Sequence, residues 1–479
     1  MTSNYMFIFF LLNLLLPCTA SSSDGTDFVF SFNQDLGGRL SPALTTTIMI
    51  IPIQNDTTCS ITYVQNSDNK IVTLQKNVFY GKTNEITLDS QEVLAKIHYM
   101  GDYPYLFSIV AIQDKRIFVS CKSEVKLVGR IFDPLNGWGD FFIVPSIKLA
   151  GTHYLLAVPT STFAELGHVM VLPLRDTDED DVKVTYVVYS NGNWYLNQTH
   201  YYNTLIGQHQ PFLTIYSIEN DVKYTVEIIT NRPVMLSFTS TYAVSSLEED
   251  GNGYVKTHDY ITYMPMPRVS SDCNQHLLEP SAHVMAENFT TRLYAAPPNS
   301  GYNCQEKYEL TVYKDSKAGK NETIYNDGTS TIEFKGLAKV STTSNQGVMT
   351  LHRLGTIFRN NGFYEEGHFT TYVPNTSEWV TGITQFYILP KNCFIEVYTD
   401  GAGSDMDSIT IDGKNLNTFS FSKNVIKLLN NEYTQFIVNL NGYGLHSFEL
   451  EGKYVMYVVC TNVNSATNAA GYLAGFVRH

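Results

Sequence analysis

The residues that could do chemistry are dispersed along this sequence. It holds twelve histidines, and three of them, His153, His258 and His368, fall at matching places in similar stretches. A metal shared by stretches more than 100 residues apart needs long-range convergence, so each is read as a strand-edge histidine held by a local hydrogen bond. No G-x-S-x-G elbow and no H-E-x-x-H pair is present. Ala318-Gly319-Lys320 lacks the earlier glycine of a phosphate loop. The acidic run 176–181 could offer several of the six to eight oxygens that calcium takes, with Asp178 and Asp180 the first ligands. Without EF-hand spacing, a solvated hairpin loop is the reading adopted for it, and for the runs at Asp405-Met406-Asp407 and Glu248-Glu249-Asp250. Trp138, Trp194 and Trp379 sit in or near polar turns. Their rings could stack on sugar C–H groups or cover a seam between sheets. These observations predict no enzyme, no cofactor and no catalytic residue.

The elements that would position these residues come in a recurring order. Gly25-Thr26-Asp27-Phe28, Gly151-Thr152-His153-Tyr154, Thr257-His258-Asp259-Tyr260 and Gly367-His368-Phe369 align as starts. An apolar strand with proline follows each, at Pro52, Pro173, Pro297 and Pro390, and a strand such as Pro233-Val234-Met235 closes it. The spacing is about 110 residues, too long for a solenoid unit, so each repeat is read as a small domain. The predicted division is 21–130, 131–247, 248–358 and 359–479, after a leader at 1–20.

Within the repeats, β-branched and aromatic stretches at 46–51, 183–189, 308–313 and 393–398 alternate with Asn-Gly and Asp-Gly turns. Helical periodicity is nearly absent, with 90–97 the best candidate. The fold class expected is all-β: a tandem array of about four antiparallel β-sandwich repeats with neighbours packed together.

The chain has 479 residues, 43% hydrophobic and only 16% charged, with a net charge of −14. No basic run is present to meet phosphates, so nucleic acid is an unfit partner. The apolar run 6–16, ahead of Cys18-Thr19-Ala20, reads as a secretory signal too short to span a bilayer. Removing it leaves six cysteines, an even number suited to an oxidising compartment. Six allow fifteen pairings, and confinement within repeats selects Cys59–Cys121, Cys273–Cys304 and Cys393–Cys460. No paired C-x-x-C supports zinc instead. Sequons at Asn55, Asn197, Asn288, Asn321 and Asn375 fit the same secreted fate.

The opening Gly25-Thr26-Asp27-Phe28-Val29-Phe30-Ser31-Phe32, the Gly-Thr-His-Tyr and Gly-His-Phe starts and the Pro-Val-Met closing strand resemble the IgGFc-binding protein N-terminal domain family. That resemblance implies a secreted all-β protein of mucus or extracellular matrix, without assigning Fc contact to any residue here. The function expected is extracellular binding or adhesion, with a glycoprotein, mucin or glycan as partner and no membrane span. A lectin-like carbohydrate binder is the alternative, and it requires Trp138 or Trp379 exposed in a groove. A secreted hydrolase is the second alternative, and it requires carboxylates or a Ser/His pair meeting in a cleft. An adhesion array requires no strongly perturbed titrating group.

Overall fold

The computed structural model describes residues 21–34, 41–95, 107–159, 161, 165–174, 181–216, 223–245, 257–273, 275–286, 289–301, 304, 307–314, 319–325, 330–334, 339–359, 364–390, 392–401 and 406–478. The leader assigned to 1–20 lies outside them. Among the described residues the chain is all-β, in one seven-stranded, two eight-stranded, two four-stranded and two two-stranded sheets, antiparallel except where Phe32–Asn33 runs parallel to Leu94–Ala95. The stretches read as strands at 46–51, 183–189, 308–313 and 393–398 all lie in strands. In the helix candidate, Ser90–Val93 forms one turn capped by Asp89.

Long strands act as spines. The first half of Ile117–Asp133 pairs with Gly25–Phe30 and Thr57–Val64, and its second half with Thr45–Pro52 and Trp138–Val144. A register shift between Ser120 and Val125 separates the halves. Such an irregularity bends the strand, so the sheet curls over its own core. The spine Tyr224–Ala243 repeats the rule, with Gly151–Ala157 and Asp181–Ser190 on its first half and Glu165–Pro173 and Asp259–Tyr263 on its second. Gly444–Cys460 repeats it with Val380–Ile388 and Thr410–Ile411, then Cys393–Thr399 and Ala470–Leu473. In the paired four-stranded sheets the spine is broken into Lys339–Ser344 and Thr350–Arg359. Alternating apolar residues such as Val226, Ile228, Val234 and Leu236 fill the interior of the second sheet.

Each spine turns back into one inner strand: Trp138–Val144, Asp259–Tyr263, Tyr364–Val373 and Ala470–Leu473. Each inner strand touches the next, and the last touches the first. Ser21 and Ser22 pair with Arg478 and Val477, joining the two ends of the described chain. Gly367, at φ +122°, lets two inner strands meet, because a Cβ there would lie 2.3 Å from the Ala469 nitrogen.

This pairing corrects the sequence alignment of the starts. Gly25–Phe30 and Gly151–Ala157 open their sheets, and their counterparts by pairing are Ser281–Ala286 and Val380–Ile388. The stretches at 257–263 and 366–372 are inner strands of the preceding sheets. The apolar-then-aromatic pattern is common to both kinds of strand, and only hydrogen-bonded partners separate them. The boundaries placed after 130 and 358 fall inside Ile117–Asp133 and Thr350–Arg359. The sheets end later, near Pro145, Pro265 and Pro374. Likewise Pro390 follows the opening strand of the last sheet, whereas Pro52 and Pro173 end second strands.

Cys59–Cys121, Cys273–Cys304 and Cys393–Cys460 are disulfide-bonded, as the sequence predicts. The first and third join register partners on adjacent strands. Their places are not equivalent, since Cys121 lies in the first half of its spine and Cys460 ends its own.

Candidate functional site

The inner strands carry a buried polar hub that the sequence reading missed. Asp140, Asp259, His368 and Asn468 each contribute from a different inner strand or its approach, and all are buried. The Asp259 Oδ1 accepts from the Tyr260 nitrogen and the Asn468 amide, each at 2.8 Å. Its Oδ2 accepts from the His368 and Ala469 nitrogens at 2.9 and 2.8 Å. The Asp140 carboxylate accepts from the Phe141 and Thr262 nitrogens at 2.8 and 3.0 Å. Asn468 also donates to the Gly139 carbonyl at 2.9 Å. His368 meets the Thr257 carbonyl at 2.8 Å and the Thr356 hydroxyl at 3.0 Å.

Burial pushes the Asp259 carboxyl up to about 8, against the N–H donors that favour its charged form. Burial also raises Asp140 well above the usual carboxylate range, and the neighbouring Asp259 adds to that rise. These are strongly perturbed groups, contrary to what the adhesion reading requires. They do not form the open carboxylate pair that hydrolysis needs, because backbone and amide donors occupy each oxygen and both side chains are sealed. The arrangement ties four strands together. A sequence signal did exist: each of these four polar residues stands five or six positions ahead of Pro145, Pro265, Pro374 or Ala474.

A recess of about 280 Å³ opens between Lys148–His153, Pro267–Ser270, Asn299 and Arg478. Its lining holds Lys148, His153, Arg268 and Arg478 and no Asp or Glu. The Arg268 guanidinium is fixed by the carbonyls of Pro297 and Pro298 at 3.0 and 2.8 Å and by Glu227 at 3.1 Å. The Arg478 Nη2 donates to Thr350 at 3.2 Å, its Nε lies 3.5 Å from the buried Glu378 carboxylate, and its Nη1 has no hydrogen-bond partner among the described residues. The Lys148 ammonium is about half exposed and lies 3.3 Å from Glu124. Burial first, and Arg268 second, lower the His153 pKa, so its ring stays neutral at physiological pH.

The three start-region histidines do not converge. Among the described residues no group of three or more His, Cys, Asp or Glu side chains comes together to hold a metal ion. Asp178 and Asp180 lie outside the described residues. Asp407 is tied by the Asn415 and Asn417 amides.

Trp138 and Trp379 are corrected as sugar-binding candidates. They are only 7% and 4% exposed, packed on Tyr260 and Tyr433. Their polar neighbours are turn residues, and the rings turn inward to cover seams. Trp194 is 66% exposed, on the same strand as exposed Tyr201.

Among the sequons, Asn55, Asn197 and Asn321 are exposed, and Asn288 lies outside the described residues. Asn375 is corrected: it is buried, and its Oδ1 caps the turn Thr376–Glu378 by accepting from the Ser377 nitrogen at 2.7 Å. A glycan has no room there. Among the described residues no helix is long and apolar enough to cross a membrane. No family model matches the chain, and no curated protein matches it in sequence.

Proposed function

We propose that this chain is a secreted binding protein built from four β-sandwich repeats closed into a ring, and that it recognises acidic groups on an extracellular glycoprotein or mucin. The repeats run to about Pro145, Pro265, Pro374 and the last described strand, each with its spine and inner strand. Three disulfides fit an oxidising compartment. The resemblance to the IgGFc-binding N-terminal domain family supports the same setting.

The observation that carries the ligand class is the recess lined by Lys148, His153, Arg268 and Arg478 without a carboxylate. On a chain of net charge −14, the half-exposed Lys148 beside exposed Glu124 is a cation there open to sulfate or carboxylate groups, whereas Arg268 and Arg478 are buried against Glu227 and Glu378.

The test is binding of the mature, disulfide-bonded chain to sialylated or sulfated mucin, to the same mucin stripped of those groups, and to immunoglobulin Fc. Saturable binding to the acidic mucin that weakens about tenfold in Lys148→Glu supports the reading. Equal binding to the stripped mucin, or none to either, removes it.

A further inference from the structure

The strand Asn193–Asn203 forms the free edge of the second sheet. It carries no Asp, Glu, Lys or Arg, and most of its residues are exposed. Trp194 and Asn197 are three positions apart, which in a regular strand puts them on opposite faces. A register shift changes that. Trp194 pairs with Tyr189 and Leu196 with Val188, so Tyr195 is an extra residue. Asn197 then pairs with Val187 and Tyr201 with Lys183. Tyr189, Val187 and Lys183 alternate on one face of their strand, while Val188, Tyr186 and Val184 face the core. The bulge therefore places Trp194, Asn197, Thr199 and Tyr201 together on the outward face. Trp194 stands two rungs, about 7 Å, from Asn197, and Tyr201 four rungs, about 14 Å, on the other side.

We infer that Asn197 is an N-glycosylation site whose glycan covers the exposed aromatic face of this edge strand, its first sugar lying against Trp194. The Asn197-Gln198-Thr199 triplet meets the acceptor requirement, and its side chain is solvent-exposed. In the transfer, the Asn197 amide nitrogen bonds to C1 of N-acetylglucosamine on a lipid-diphosphate-linked oligosaccharide donor. The C1–O bond breaks, the amide loses one proton, and the lipid diphosphate departs. A pyranose ring spans about one rung-pair of the strand, so the apolar C–H face of the sugar reaches the Trp194 ring. The strand edge, otherwise open to pairing with another chain, is thereby screened.

The inference rests on the secreted reading, and one experiment separates the two. The full chain is expressed in a glycosylating secretory host and recovered from the medium, and occupancy of each sequon is read by peptide mass spectrometry. Absence from the medium, or no sequon occupied at all, overturns secretion and this inference together. Secreted protein with Asn55 or Asn321 occupied and Asn197 bare overturns this inference alone.

Tryptophan emission then reads the contact, because Trp138 and Trp379 are buried and only Trp194 is open to quencher. Acrylamide should reach little of the emission in the glycosylated protein. The quenched share should rise toward one tryptophan in three when the glycan is cut from the folded protein. Asn197→Gln and Thr199→Ala should match the cleaved protein. Unchanged quenching after cleavage overturns the contact, as does saturable protection of Trp194 by added free saccharide in the intact glycoprotein, which would make the face a binding site for foreign sugar.

Discussion

The Asn468 amide donates to the Asp259 Oδ1 at 2.8 Å across 209 residues of sequence. With the His368 and Ala469 nitrogens on Oδ2, this contact makes one carboxylate the meeting point of three inner strands.

Asp259→Ala should therefore act far beyond its own sheet. It leaves four N–H donors buried without an acceptor, at a cost of about 3–5 kcal/mol. Denaturant unfolding should show a lower midpoint. Loss under about 1 kcal/mol would mean that the hub contributes little to closure.

The hub also predicts how stability varies with pH. Asp259 is pushed up to about 8 by burial, and it titrates near 3.9 in the unfolded chain. Its neutral form stabilises fully below about pH 3.9, and that contribution is lost as pH rises toward 8. Asp140 acts in the same direction. Burial lowers His283 and His352 to about 3. Their contribution is complete above about pH 6.5 and is lost as pH falls toward 3. The opposed slopes give a flat region from about pH 4 to 6.5 and a falling limb from about 6.5 to 8. The limb is no steeper than about 1.4 kcal/mol per pH unit for each group. Thermal unfolding across this range measures it, and Asp259→Asn should shallow the limb.

The Arg353–Glu396 pair, 2.6 Å apart and fully buried, joins the third spine to the last sheet. Tyr398 and Gln435 also donate to Glu396 Oε1, at 2.6 and 3.0 Å. Arg353→Ala strands that carboxylate and should cost about 3–5 kcal/mol. Adding Glu396→Leu to Arg353→Met should recover part of the loss, because removing both charges removes the desolvation penalty. A double variant no better than the single one would show that the hydrogen bonds outweigh the charge.

Reduction should destabilise the first and last sheets most. Cys59–Cys121 and Cys393–Cys460 close separations of 62 and 67 residues. Loss of either should cost about 2–5 kcal/mol. Cys59→Ser with Cys121→Ser, followed by thermal unfolding, isolates the first. Peptide mapping of the unreduced chain should recover the three cysteine pairs intact.

Much of the fold was legible because its signals are local. Alternation in stretches such as Lys183-Val184-Thr185-Tyr186 records one face in the core and one outside it. Cys59 and Cys121 could be paired because both fall within one of the repeats that the sequence predicts. The starts were misassigned where this locality fails, since Asp259–Tyr263 and Gly151–Ala157 look alike as peptides and differ only in which part of a spine they join. The tryptophans could not be sorted for a similar reason: Trp138 and Trp194 both follow Asn-rich turns, and the partner ring Tyr260 that buries Trp138 lies 122 positions away.

The sequence by itself determined an all-β chain, its disulfide pairs and its polar, weakly charged surface, because period, spacing and composition are properties of short stretches. Only the tertiary structure decided that the inner strands close on one another, that Asp140 and Asp259 are sealed at their centre, and that Lys148, Arg268 and Arg478 share one recess. Those outcomes depend on contacts between residues more than 100 positions apart, where burial and hydrogen-bond geometry select partners that local pattern does not encode.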